Sequence, residues 1–184
     1  VHRDSIFALS NTFSQIAQEF GIDGMTAIKN ANHNYPRSNI PVPGFVAGPC
    51  LEKDAYILAS NMADDALKEN ILTGRKINEK IEEDLADWLI NYLQSKRSIG
   101  RVLFSGLAFK GEPATNDLRG SSSLKILKKL SLNYEKIICH DFENNEEKLS
   151  EVSKFPCLSP NFYMTQEYEN YGMIIILNNH KNYK

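Results

Sequence analysis

The residues of this chain best equipped for chemistry stand together in GFVAGPCLEKDAYIL, residues 44–58. Gly44 and Gly48 let backbone approach a ligand closely, and Pro41, Pro43 and Pro49 stiffen the segment that ends on Cys50. A helix predicted to begin near Lys53 would bring its partly positive N-terminus beside the sulfur, which favours a thiolate. Asp54 follows Cys50 by four residues, one helical turn, so both side chains could face one site, and Lys53 adds positive charge. Such a set suits a nucleophilic thiol flanked by a carboxylate and an ammonium. The same cysteine could be a small buried hydrophobe, and these residues alone name no reaction.

The remaining polar residues suggest little else. His2, His33, His140 and His180 are scattered and no C-x-x-C pair occurs, so no metal centre is expected. A thiol hydrolase would need a histidine base, and none is tied to Cys50 by spacing. Three cysteines in unrelated contexts do not make a disulfide framework, which points to a reducing, cytoplasmic setting. A net charge of -2 without basic–aromatic clusters argues against nucleic acid as partner. The longest apolar run, Met173 to Leu177, is too short to cross a membrane, and no secretion signal opens the chain.

Two kinds of element must position these residues. Ile6, Leu9, Phe13, Ile16, Ala17 and Phe20 recur at helical spacing, Gly21 stops that helix, and Asp23 can cap a second one through about Asn32. The proline-rich stretch 34–50 reads as a working loop. Helix is predicted again from Lys53 through Leu67. A longer helix follows, with Ile77, Ile81, Leu85, Trp88, Leu89, Tyr92 and Leu93 as one stripe; Trp88 and Tyr92 are expected in the core, with a dimer seam as the other use of such a stripe. Beyond Ser98 to Gly100 the period changes. Val102–Ser105, Lys136–His140 and Met173–Leu177 read as strands; Leu124–Leu132 and Asn145–Val152 read as helices. That alternation predicts a parallel α/β sheet. The chain is therefore expected to be an α-helical central domain, residues 1–97, followed by a three-layer α/β Rossmann-like domain, residues 98–184. Val1 leads straight into a periodic pattern without a methionine, as in a piece of a longer chain.

Several stretches together resemble the UDP-glucose/GDP-mannose dehydrogenase family. The glycine-rich run, Cys50, two residues and Lys53-Asp54 resemble its cysteine motif. RDSIFALSNTF from Arg3 resembles its central helix, and Pro36-Arg37 its proline–arginine element. FSGLAFKGEPATNDLRGSSS, residues 104–123, resembles its C-terminal signature, and YGMIIILNNHKNYK resembles that domain's later strand and following histidine. The order and spacing agree along essentially the whole chain.

The resemblance implies an enzyme that oxidises the C6 alcohol of a nucleotide-linked sugar, UDP-linked by preference, to a carboxylate with NAD as cofactor. Cys50 would form a thiohemiacetal and then a thioester, Asp54 would orient water, and Lys53 would act electrostatically. Arg37 would reach the sugar nucleotide of a neighbouring subunit in a homodimer built through the helical domain. Gly44, Gly48 and Lys110 would contact substrate, and Arg119, just before a helix start, would lie near the cofactor pyrophosphate. Arg3, Asp4 and Asn11 would be structural, as would Cys139 and His180; Cys157 has no evident role.

This sequence also departs from the family pattern. No G-x-G-x-x-G follows a strand. The N-terminal NAD-binding domain, with its glutamate, and the lysine and asparagine upstream of the position of Val1 have no counterpart. The chain alone is thus expected to be inactive. Ala47 and Pro49 replace residues common in relatives. The alternative is a non-catalytic module that binds a nucleotide sugar and dimerises.

Overall fold

The structure, a computed structural model, describes residues 1–96, 99–162 and 167–183. It falls into two compact units, Val1–Glu82 and Glu83–Lys184. The domain junction expected near residue 97 lies outside the described residues.

The first unit is helical. Its α1 (His2–Glu19) and α2 (Gly24–Asn32) pack together, and Asp23 caps α2 by accepting the amide of Thr26 at 2.8 Å. Helix α3 (Asp54–Ser60) is followed by α4 (Asp65–Ser95). The single helix expected from Lys53 through Leu67 is therefore broken. Asn61 ends α3, and the carboxylate of Asp64 accepts the Leu67 amide at 3.0 Å as a new N-terminal cap.

Helix α4 corrects another expectation. Its buried residues in the first unit are Arg75, Asn78 and Glu82, continued in the second unit by Ala86, Leu89 and Leu93. Trp88 is 55% exposed and Tyr92 is 38% exposed, so neither is core; their rings stack on each other at 5.3 Å. The buried line meets the apolar stripe at Leu89 and Leu93 and departs from it earlier, because its first half, Arg75 and Asn78, is hydrogen-bonded rather than greasy. Likewise α1 buries Asp4, Ala8, Ser10, Asn11 and Ala17, while Leu9, Phe13, Ile16 and Phe20 face outward.

The second unit contains β1 (Val102–Ser105), α5 (Ser122–Leu130), β2 (Ile137–His140), α6 (Glu146–Ser153) and β3 (Met173–Ile176), with 3-10 turns at Glu167–Asn170 and Lys181–Tyr183. The strands are parallel in the order β2-β1-β3, with Val102 opposite both Ile137 and Met173. Each residue of β1 is buried, as a central strand between two others requires. Ser121 caps α5, and Ile126, Leu127 and Leu130 form that helix's buried face. The connection from β1 to β2 lies on one side of β1 and β3 on the other, which opens a switch point between β1 and β3 at the carboxyl ends of the strands. The expected helical part followed by a parallel α/β part is what the chain adopts.

Candidate functional site

Cys50 is exposed, in a series of turns that leads into α3. Its carbonyl accepts the amide of Asp54 at 3.0 Å, the spacing of one helical turn. The Lys53 ammonium reaches Asp54 Oδ1 at 2.9 Å. That hydrogen bond, with the carboxylate charge and a smaller contribution from Cys50, holds the Lys53 ammonium above the usual lysine range. Lys53, Asp54 and Cys50 thus form one surface cluster. The helix beside it has only seven residues, so its dipole is small. Among the described residues no histidine hydrogen-bonds the Cys50 sulfur.

Backbone conformation explains the glycines. Gly48 is buried at φ +114°, a region that side chains rarely adopt, and its carbonyl accepts the Glu52 amide at 3.1 Å. Gly44 is gripped at both polar atoms: its amide donates to Asn11 Oδ1 at 2.7 Å, and its carbonyl accepts from Asn11 Nδ2 at 2.9 Å. Ser10 Oγ donates to the carbonyl of Pro41 at 2.5 Å.

The other end of the loop is held from α4. Arg75 has no solvent exposure, and its Nη1 donates to Leu51 O at 3.1 Å and to Asp4 Oδ1 at 3.1 Å, with Val46 O at 3.4 Å. Its Nε lies 3.2 Å from Glu79 Oε1; that approach is an ion pair, with an angle that leaves Nε without a proper hydrogen bond. Asn78 Nδ2 donates to Asp4 Oδ1 at 2.7 Å, and Asn78 Oδ1 accepts from Asn11 at 3.0 Å. Tyr56 of α3 donates to Glu79 Oε2 at 2.7 Å; burial and that carboxylate push its hydroxyl up to about 12. Asp4, Asn11, Arg75 and Asn78 therefore tie α1, α4 and the cysteine loop into one buried network. Sequence reading placed Asp4 and Asn11 as structural but missed Arg75 and Asn78. Their signal was present: polar residues at 75, 78 and 82 recur at helical spacing.

The other predicted residues lie in two places. Arg37 is an exposed loop residue of the first unit, held on Tyr35 by a 2.7 Å bond to the phenol and by its guanidinium 5.2 Å over the ring. Lys110 belongs to the second unit, in the loop that leaves β1, half-buried with Nζ 5.3 Å over the Phe109 ring. The loops after the three strands are linked there: Ala108 donates to Asp141 Oδ2 at 2.9 Å, and its carbonyl accepts from Asn178 at 3.4 Å. At Gly111 an added Cβ would lie 2.0 Å from the His180 amide nitrogen, so two backbones meet where only glycine fits.

Arg119 is exposed and engaged by Asp117, with Nε at 3.0 Å and Nη2 at 2.8 Å from the carboxylate. The guanidinium bonds hold Asp117 down to about 2. Sixteen residues, 106–121, separate β1 from α5. A dinucleotide cradle needs a tight glycine turn from strand to helix, and none is formed among the described residues. These residues do not fit NAD as its main holders.

Behind the switch point sits an aromatic cluster. His140 is buried, with Nδ1 3.0 Å from the Tyr183 hydroxyl, and burial lowers its imidazole to about 4. His180, also buried, stacks on Phe142 and lies 3.0 Å from Glu143 Oε1. Among the described residues no cluster of metal-ligating side chains occurs, and no helix is long and apolar enough to cross a membrane.

Comparison with known proteins adds a second line. Residues 1–80 match the family model of the UDP-glucose/GDP-mannose dehydrogenase family, central domain, and residues 103–184 match that family's UDP binding domain. The chain is similar to the UDP-N-acetyl-D-mannosamine dehydrogenase of Pyrococcus horikoshii, 35% identical over 143 residues, which are 76% of this chain and 33% of the relative. It is 30% identical to the enzyme of that name from Methanocaldococcus jannaschii over all 184 residues, 39% of the relative. The chain thus spans less than half the length of these relatives. A solved structure of the UDP-D-ManNAc dehydrogenase from Pyrococcus horikoshii superposes on 99% of this chain and 40% of its own, with a TM-score of 0.77 at 29% identity. A UDP-N-acetyl-mannosamine dehydrogenase from Staphylococcus aureus shares the fold at a TM-score of 0.73 and 24% identity, over 100% of this chain and 40% of its own.

Proposed function

Because the chain belongs to the UDP-glucose/GDP-mannose dehydrogenase family, we propose that it carries the thiol centre of a nucleotide-sugar dehydrogenase, one that oxidises the sugar C6 alcohol to a carboxylate in two steps. The observation that supports this reading most is the exposed Cys50 with the Lys53–Asp54 pair beside it, on a loop gripped at Gly44 and at Leu51 by a buried network. The substrate proposed is a UDP-linked N-acetylhexosamine, since two relatives at 35% and 30% identity are UDP-N-acetyl-D-mannosamine dehydrogenases.

NAD is the electron acceptor implied by the family. The residues described do not cradle it. The chain's own residues have separate tasks. The Cys50 thiolate adds to the C6 aldehyde: the S–C bond forms and the carbonyl electrons move to oxygen, where the Lys53 ammonium stabilises the charge. Once that adduct has been oxidised to a thioester, a water oriented by Asp54 attacks the carbonyl carbon. The C–S bond breaks, and the thiolate returns. Gly44 and Gly48 keep the loop free of side chains where the sugar approaches. Lys110 binds the nucleotide sugar at the strand ends of the second unit, and Arg37 reaches the site of a second copy in a homodimer. Arg119 is proposed for the cofactor pyrophosphate, which requires exchange of its Asp117 partner. On these residues alone we expect binding and adduct formation without turnover, in the cytoplasm.

Differential alkylation tests the reading. Iodoacetamide followed by peptide mass spectrometry should label Cys50 well before Cys139, and UDP-N-acetylmannosamine should slow Cys50 labelling more than UDP-glucose does. Faster labelling of Cys139, or no effect of any UDP-sugar at Cys50, refutes it. Protection by UDP-sugar in a chain whose Cys50 forms no aldehyde adduct would favour the non-catalytic binding module.

A further inference from the structure

Two cysteines outside the Cys50 cluster occupy facing positions in the second unit. Cys139, on β2, makes a parallel bridge with Cys157: its amide donates to Pro156 O at 2.9 Å, and its carbonyl accepts from the Leu158 amide at 2.9 Å. Segment 156–158 thus adds a short edge to β2. Facing residues on adjacent parallel strands point to the same side of a sheet, and strands run roughly 4.8 Å apart. A disulfide spans Cα atoms about 4.4–6.8 Å apart, so the Cα spacing of facing strand residues is within its reach.

The two thiols are unequal. Cys139 has no exposure, whereas Cys157 is half-buried, with Sγ 3.3 Å from Phe155 O and 3.5 Å from Ser153 Oγ. Interaction with Cys139 draws the Cys157 thiol down to about 6, and the same interaction with burial pushes Cys139 up. A groove of about 580 Å³ between α5 and α6 is lined in part by Leu127, Lys128, Ser153, Lys154 and Phe155. Ser153 and Phe155, which line this groove, also touch the Cys157 sulfur, and the two lysines suit a reagent bearing carboxylates.

We propose that Cys139 and Cys157 form a redox-active dithiol site whose co-substrate is an anionic low-molecular-weight disulfide of the glutathione class. The Cys157 thiolate attacks one sulfur of the reagent. The reagent S–S bond breaks, a mixed disulfide forms on Cys157, and the first thiolate leaves and takes a proton. Cys139 then attacks the Cys157 sulfur, the mixed disulfide breaks, and the Cys139 proton passes to the departing thiolate, which leaves as the second thiol. The protein dithiol is oxidised by two electrons, and one disulfide is reduced to two thiols. Excess thiol reverses both steps. Cys50, with no second sulfur in contact among the described residues, stops at the mixed disulfide.

The test is independent of the function proposed for Cys50. The chain is incubated with oxidised glutathione near neutral pH, quenched with N-ethylmaleimide, and mapped without reduction. The expected product is a Cys139–Cys157 cross-linked peptide, with two glutathiones released per cross-link and Cys50 carrying glutathione. A stable glutathione adduct on Cys157 with Cys139 alkylated after unfolding would overturn the proposal, as would an unmodified Cys157 beside a glutathionylated Cys50. Cys139→Ser should trap the mixed disulfide on Cys157. If that variant does not fold, the wild-type map decides alone.

Discussion

Arg75 Nη1 donates a 3.1 Å hydrogen bond to the carbonyl of Leu51, the residue after Cys50, from a guanidinium with no solvent exposure. The same nitrogen meets Asp4 at 3.1 Å. The backbone beside Cys50 is thus fixed by a buried charge whose own partner lies near the start of α1. Removing Arg75 leaves the Asp4 charge buried and opposed only by Asn78, while keeping Asp4 without Arg75 has no compensating packing gain. Arg75→Met should destabilise the first unit by about 3–5 kcal/mol in urea denaturation. Arg75→Met with Asp4→Asn should cost clearly less than the two single changes added together. Additive costs would mean that the pair does not act as one.

Asn11 holds Gly44 through two hydrogen bonds, and Asn78 through a third. Asn11→Ala removes both Gly44 contacts and leaves the buried Asn78 Oδ1 without its Asn11 partner, at a cost of roughly 1–3 kcal/mol. Amide exchange measured by mass spectrometry should accelerate in residues 44–51 more than in α2. Equal acceleration throughout the unit would assign Asn11 a role in general stability only.

Much of this architecture is legible in the sequence, and the failures have a common physical cause. The pattern of apolar residues predicts strand β1 at Val102–Ser105, where it is, and Asp23 caps α2 as its side chain and position demand. These signals are local. The buried face of α4 is not, because Arg75 and Asn78 are buried by partners 71 and 67 positions away, Asp4 and Asn11. An apolar periodicity search rejects such residues and selects Trp88 and Tyr92 instead, which are exposed. The cysteine cluster was legible as types and spacing; that a distant arginine anchors the loop was not. Cys157 showed no role in sequence, since its bridge to Cys139 joins residues 18 apart through the edge of a sheet.

Acid should weaken the second unit through His140. Its imidazole titrates near 4 folded against an ordinary 6.5, with Tyr183, Asp141 and His180 as the polar groups close by. The folded-state value is lowered, so the neutral form is the one that packs. Stability is full above the unfolded value and falls as pH drops from about 6.5 toward 4, where the unfolded chain binds the proton more readily. The loss is on the order of 3 kcal/mol. Denaturation monitored in the second unit should show this slope, and His140→Gln should flatten it. An unchanged slope would place the acid sensitivity elsewhere.

Leu9, Phe13, Ile16 and Phe20 make an outward apolar stripe along α1, and in the proposed homodimer this stripe is covered by a second copy. Sedimentation should give a dimer for the natural sequence and a shift toward monomer, by at least tenfold in dissociation constant, for Phe13→Glu with Phe20→Glu. A monomer for the natural sequence at high concentration would remove the proposed dimer and, with it, the role given to Arg37.

The central claim is that Cys50 attacks the sugar aldehyde. A UDP-N-acetylhexosamine 6-aldehyde labelled with carbon-13 at C6, added to the chain and observed by NMR, reads this directly. The account predicts a protein-bound thiohemiacetal carbon signal with the natural sequence, absent with Cys50→Ser and present with Cys157→Ser. An aldehyde that stays free or hydrated in the presence of the natural sequence, or an adduct that survives Cys50→Ser, would contradict it.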